Sequence, residues 1–298
     1  MVMKHISVLI LCLLLCHIGR AQTGKAFMTS PDGGMYAYKK INHTLYDTTD
    51  VNVFYKVSFL PDSTKKDSYR DGQTLLMISD DYTWFGDYYK IKADSVNNYL
   101  AKSKKNAHDK KANDDFNMLV TKTTFDYIML ADLKSSQTTV QLRSPLNKYQ
   151  YTYLTPQIQW TLLPGDTLIN NIPCKKATCR YAGRNFIAWY AENMPLPYGP
   201  FVFSGLPGII MKLYDDKLNW IFTNNGISKA APTDMMYLYK DKKYKKTTRE
   251  KALSAYRNEN ENFVSIAIES GVMTVVKKGP DFDKMMAPRP TNMLELEW

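Results

Sequence analysis

Val51-Asn52-Val53-Phe54-Tyr55-Lys56-Val57-Ser58-Phe59 decides the fold class. Residues 51, 53, 55, 57 and 59 are all apolar or aromatic, and a period of two is the mark of a half-buried β-strand. Tyr149, Tyr151 and Tyr153 repeat the pattern, as do Ile158, Trp160 and Leu162. Further strands are predicted over 74–79, 82–89, 118–131 (with a break), 137–142, 174–181, 185–190, 209–214 and 218–223. Turn residues separate many of them: Pro61-Asp62-Ser63, Pro164-Gly165-Asp166, Ala182-Gly183-Arg184-Asn185 and Asp215-Asp216-Lys217. Short strands at such spacing imply an antiparallel sheet, sandwich or barrel, and no strand–helix–strand rhythm of a parallel nucleotide-binding sheet is visible.

Helix signals are sparse. Asp94 is a candidate cap for a short helix carrying Val96, Tyr99 and Leu100. Thr247-Thr248-Arg249-Glu250 has the form of a capping box in front of Ala252, Leu253 and Tyr256. Two Lys-rich stretches, 102–111 and 240–251, read as exposed excursions from the sheet. One or two short helices are therefore expected on a mainly β, antiparallel, single-domain chain.

Composition agrees with a folded chain. Of 298 residues, 44% are apolar and 13% aromatic, a balance that excludes disorder as the dominant state. Met1 to Ala21 reads as a secretory signal. Lys4 supplies the basic start, Ile6 to Cys16 an apolar run, and Gly19-Arg20-Ala21 the small residues of a cleavage site. Cys16 as an acylated lipoprotein cysteine is the alternative, but Leu15 before it is too large for that signal. The single domain is then 22–298, and loss of Lys4 and Arg20 lowers the net charge from +10 to +8. Export discounts nucleic acid as a partner. A lysine surplus outside the cytoplasm suits anionic lipid or polysaccharide, or a solvated surface. No later stretch has the length and apolarity of a transmembrane helix.

The stretch from Gln159 to Thr223 carries a specific resemblance. It contains Trp160, then Cys174-Lys175-Lys176-Ala177-Thr178, Ala188-Trp189-Tyr190 and Gly199-Pro200-Phe201. After these comes Gly205-Leu206-Pro207-Gly208-Ile209-Ile210. These blocks, in this order, resemble the GLPGLI family, secreted proteins of Gram-negative bacteria named for that hexapeptide. The ending Pro290-Thr291-Asn292-Met293-Leu294-Glu295-Leu296 resembles the family's closing Asn-Pro-Ile-Glu-Leu. The resemblance implies an exported β-rich protein without an established activity. By analogy its sheet curls into a half-open barrel like that of periplasmic lipoprotein carriers.

The hexapeptide also reads physically. Leu206-Pro207-Gly208-Ile209 fits a type II turn with positive φ at Gly208, and Gly205 suits a close backbone approach. Pro195, Pro197 and Pro200 hold the segment before it extended and remove three amide donors. Such a crossover either only fixes topology or sits at the mouth of a cavity lined by Trp189, Phe201, Phe203 and Leu206.

Catalytic signatures are few. After signal removal only His43 and His108 remain as imidazole bases, and no Gly-x-Ser-x-Gly, His-Glu-x-x-His, phosphate loop or dinucleotide fingerprint is present. Asp80-Asp81, Asp114-Asp115 and Asp215-Asp216 read as turn residues rather than paired catalytic carboxylates. On one strand Cys174 and Cys179 face opposite sides about 16 Å apart. They are expected as separate thiols, one of them buried; a disulfide, which needs a turn or bulge between them, and a soft-metal site with Met are the alternatives. Leu294, Leu296 and Trp298 alternate with Glu295 and Glu297 as in a closing strand of an outer-membrane barrel, but the Lys-rich excursions make the required series of strands hard to draw.

The expected protein is an exported binding protein of the periplasm or outer membrane, or beyond it, with no metal or other cofactor. It holds an apolar ligand, lipid or peptide on a concave aromatic sheet. The alternatives are an accessory subunit of an outer-membrane complex and an enzyme using Cys174, His43 and an acidic residue.

Overall fold

A computed structural model of the chain describes residues 38–275 and 281–298. The predicted signal, 1–21, lies outside them. The first part of the chain forms β1 (His43–Thr48), β2 (Val51–Phe59), β3 (Arg70–Ile78) and β4 (Tyr82–Asp87). Three helices follow: α1 (Tyr88–Leu100), α2 (Lys104–Ala107) and α3 (Lys110–Lys122). Next come β5 (Tyr127–Asp132), β6 (Gln137–Arg143), β7 (Lys148–Leu154), β8 (Thr161–Ile169), β9 (Ile172–Tyr181) and β10 (Arg184–Ala191). The last strands are β11 (Ile209–Asp215), β12 (Trp220–Lys229), β13 (Met235–Tyr239) and β14 (Tyr244–Lys246). Helices α4 (Arg249–Glu261), α5 (Phe263–Glu269) and α6 (Phe282–Met286) complete the order.

Twelve strands make one sheet in the order β14-β7-β6-β5-β4-β3-β2-β12-β11-β10-β9-β8. Every pairing is antiparallel except β14 with β7. Register aligns the alternating apolar residues into one inner face. Tyr149 and Tyr151 on β7 lie opposite Leu142 and Val140, which lie opposite Tyr127 and Met129. From there the inner row runs through Phe85 and Leu76 to Val53. Beyond β2, Val57 faces Phe222, then Leu213, then Ala188 and Ala177. These residues form the main core.

The sheet is curled but not closed. Arg249, at the start of α4, lies over the Tyr153 ring on β7 and pairs with Glu295, which accepts a hydrogen bond from Tyr181 on β9. Tyr153 and Tyr181 are nine strands apart in the sheet order, about 43 Å on a flat sheet, so only strong curvature brings them to one carboxylate. The segment 292–296 lies in that gap. Arg184 holds it, donating to the Leu294 and Met293 carbonyls, to Asn292 Oδ1 and to Asp215.

A second layer covers part of the outer face. The hairpin-like pair β1–β13 and helix α1 pack on Leu75, Met77, Trp84, Ile128 and Leu130. Asp94 is not the cap of this helix. Asp87 is, accepting from the Lys90 amide, while Asp94 lies a turn further on, buried and accepting from Lys90, Tyr237 and Tyr239.

Helix is more abundant than the sequence suggests, 21% of residues against 41% strand. The Lys-rich stretch 102–111 is not a bare excursion but carries α2 and the start of α3. The break in 118–131 is the end of α3, which places Asp114 and Asp115 on a helix rather than at a turn. In 240–251, β14 pairs with β7 and α4 begins, capped by Thr248 rather than Thr247. Leu162 continues the inner row in register, opposite Ala177, but β8 is the sheet edge and the side chain stays exposed.

Arg184→Met leaves Asp215 charged and buried, and should lower the urea-unfolding free energy by about 3–5 kcal/mol. The double change Arg184→Met with Asp215→Asn should recover part of that loss.

Candidate functional site

Residues 192–208 connect the neighbouring strands β10 and β11 by passing over the inner face. The approach is not simply extended: Pro195 and Pro197 stand at the centres of two three-residue turns, closed by the Leu196 amide on the Met194 carbonyl and the Tyr198 amide on the Leu196 carbonyl. The segment is tied by hydrogen bonds from the Ile209 amide to the Met194 carbonyl, from Ile210 to Tyr198 and from Gly205 to Pro197. A Tyr198–Ser204 bridge closes a tight loop, and Trp160 Nε1 donates to the Ser204 carbonyl at 2.8 Å.

The two glycines of the hexapeptide exchange the roles expected of them. Gly205 has the positive φ, +93°, with open space where a Cβ would stand. Gly208 is not in the left-handed region; a Cβ there would lie 1.9 Å from the Ala191 carbonyl oxygen. Close approach to the end of β10, not a type II turn, is why position 208 lacks a side chain. Turn residues alone do not reveal this, because the neighbour that crowds Gly208 is supplied by strand pairing.

Phe201 and Phe203 line a cavity of about 50 Å³ between the loop and the inner faces of β3 to β6. Leu76, Phe85 and Met129 form its apolar floor, with the Thr83, Thr138 and Thr155 side chains also in its wall. Phe201 has φ of +61°, a conformation that costs a bulky residue about 1–3 kcal/mol. Its ring packs edge-on against Tyr127 at 5.4 Å and Phe125 at 6.5 Å. Phe203 lies against Phe186 and Tyr181, and Leu206, three residues on, is buried in the main core. Trp189 does not join them. It belongs to the opposite face of β10, paired in register with Lys176 and Lys212. Of the four expected lining residues, the structure therefore brings Phe201 and Phe203 to the cavity and buries Leu206 in the main core.

Beside this cavity runs a polar seam that the sequence did not mark. Burial and the Glu295 charge raise the Tyr153 and Tyr181 phenols well above their ordinary range. Burial opposes the Arg249 charge, yet Glu295 outweighs it and holds the guanidinium above its usual value. Tyr127, on the same inner face, is buried with its hydroxyl unpartnered. The only sequence signal for this seam was the tyrosine alternation at 149, 151 and 153.

Cys174 and Cys179 are both free and both buried, where one buried thiol was expected. Burial pushes Cys179 up to about 12 and raises Cys174 as well. His43 lies tilted against Tyr237 in the outer layer, ring centres 5.0 Å apart, whereas Cys174 belongs to the main core, so the two do not converge. Asp215 exceeds turn chemistry: besides Arg184 it accepts from the Trp220 amide and Asn219. Among the described residues no group of three His, Cys, Asp or Glu has metal-binding geometry, and no helix is long and apolar enough to cross a membrane.

No protein-family model matches the chain, and no curated protein matches it. Among solved structures it is similar to PNGF-II in two crystal forms. The P21 form has a TM-score of 0.45 at 11% identity over 72% of this chain, and the C2 form 0.44 at 12% over 71%. The chain spans about a third of PNGF-II, 34% in each case. A likeness at that level carries no argument about activity.

Two outcomes follow from this geometry. Gly208→Ala must displace backbone and should cost about 3 kcal/mol in thermal or urea unfolding, whereas Gly205→Ala costs about 1–2 kcal/mol of backbone strain. For the thiols, alkylation at pH 8 should label neither cysteine in the native protein and both in urea without reductant. The unfolded Cys179 thiol ionises near 9 and the folded one only at about 12, so stability should fall as pH rises between those values. Cys179→Ala should flatten that fall.

Proposed function

We propose that the protein is an exported binding protein of the cell envelope that takes the apolar end of a ligand, an acyl chain or a peptide side chain, at the mouth beneath residues 198–204. The observation that carries this reading is Phe201, an aromatic residue kept in a strained backbone conformation with its ring lodged over an apolar hollow. A cavity of about 50 Å³ admits only a small group, against roughly 300–1,000 Å³ for ordinary ligand sites. Loading therefore requires the Phe201 ring to swing out, which opens the inner face from Leu76 to Met129. Resemblance to the GLPGLI family supports export and leaves the ligand open.

A second reading, an accessory subunit of an outer-membrane transport or assembly complex, draws on the sheet edge. Leu162 and Leu168 on β8 are 59% and 67% exposed, and Leu154 at the end of β7 is 73% exposed. An edge strand with exposed apolar side chains suits pairing with a partner's strand, although Pro164 and the bulge after Leu163 interrupt it.

Native mass spectrometry of protein purified gently from its own envelope tests the first reading. An apolar mass removable by solvent extraction is expected, and Phe201→Gly, which relieves the strain and removes the plug, should bind a fluorescent fatty-acid probe more tightly than the parent. A clean apo mass together with no probe binding by either protein would contradict it.

A further inference from the structure

Trp189, which the mouth does not use, lies in a second constellation. Register places it in a transverse row on the outer face: Lys176 on β9, Trp189 on β10, Lys212 on β11, Thr223 on β12 and Lys56 on β2. Lysines occupy alternate strands of this row, so their attachment points recur every two strand spacings, about 9.5 Å. The Lys176 ammonium lies 5.7 Å from the centre of the Trp189 ring, and the Lys212 ammonium 5.5 Å from that of Tyr214. Neither ammonium has a described carboxylate within ion-pair distance, unlike Lys56, which pairs with Asp71 at 2.9 Å. The layer of β1, β13 and α1 packs on β3, β4 and β5 and leaves this end of the sheet uncovered, with Trp189, Lys212, Tyr214 and Thr223 half-buried.

Two irregularities converge on the tryptophan. The β10–β11 register slips between Trp189 and Tyr190, and β8 bulges between Leu163 and Asp166. The second bulge brings Gly165, at φ of +136°, against the Trp189 ring edge and the Lys176 stem. Bulges re-aim side chains and bend an edge, and here they give the lysine–aromatic row a wall at its β8 end.

We propose that this row is a binding surface for an anionic polysaccharide, with a sugar face against the exposed part of Trp189 or Tyr214 and acid groups on alternate residues at Lys176 and Lys212. The shape selects this occupant. Each ammonium lies over its ring; drawn off onto an acid group, it frees that aromatic face for the apolar face of a pyranose, and the regular lysine spacing suits an extended chain with a charge at each disaccharide. A membrane surface would call for several protruding apolar side chains, and the row offers Leu163 at its β8 end, opposite Lys176 and 37% exposed. The site lies on the face of the sheet opposite the mouth, so it stands or falls independently of the cavity.

Affinity electrophoresis of the full chain through gels containing polygalacturonate tests the proposal, with dextran gels as the neutral control. Retardation is expected in polygalacturonate alone. The pair Lys176→Gln and Lys212→Gln should weaken it about tenfold or more, the loss of one or two charged contacts. Trp189→Leu should weaken it comparably with charge unchanged. The pair Lys242→Gln and Lys243→Gln, an equal charge change elsewhere, should have little effect. Melting curves of each variant separate loss of binding from loss of fold. The proposal is overturned if folded row variants bind like the parent, if the control pair weakens binding equally, or if only anionic phospholipid vesicles are bound.

Discussion

The Arg184 guanidinium is the interaction on which the rest of the architecture depends. It is 4% exposed, at the first residue of β10, and its donors reach Asp215 at the end of β11 and three groups of the segment 292–294. Asn292 extends the network to the end of β2, donating its side-chain amide to the Leu60 carbonyl and its backbone amide to Pro61. Trp220 on β12 stacks on Phe59 and donates to the Asn292 carbonyl. One buried cation thus organises the ends of four neighbouring strands around a segment that is not itself in the sheet. A buried charge is costly unless its hydrogen bonds are satisfied, and this network satisfies them with backbone carbonyls that would otherwise lie in the core without partners.

The consequences run inward. With 292–294 held, Leu294 enters the core and Glu295 reaches Arg249, Tyr181 and the seam where β7 and β9 face each other. The curled sheet is then filled from two sides, by the 292–296 segment and by the 192–208 crossover. A small hollow remains under Phe201. The mouth and the outer lysine row therefore belong to different parts of the molecule: one is the residue of a filled interior, the other a bare outer face.

Much of the sheet was legible in the sequence because period-two alternation survives wherever one face is buried. Residues 51–59 and 149–153 lie in the inner row as their pattern implies. The helices were harder to read. Helix α3 carries Phe116, Leu119 and Val120 at helical spacing, but its run Met118-Leu119-Val120 also reads as the start of a strand, and no residue of it is fully buried. The hexapeptide was identifiable as a constrained turn, but which glycine was conformational and which steric depended on Ala191 across the chain. Trp189 shows the limit most clearly. An aromatic next to the hexapeptide strands suggests a shared cavity, yet strand parity puts it on the other face, and parity along β10 could have been counted from Phe186, Ala188 and Tyr190. The Arg184 network joins residues about a hundred positions apart, and no local pattern announces it.

Native-state hydrogen exchange of the segment 292–297 tests this account most directly. The Asn292 amide donates to Pro61, and those of Leu296 and Glu297 donate to Ala182. If the segment is the pin that organises the sheet, these amides exchange only with global unfolding, with the same denaturant dependence as the core amides of β2 and β10. Rapid exchange of 292–297 while β2 and β10 stay protected would contradict it, and would make the segment a late addition to a sheet that holds its own curvature.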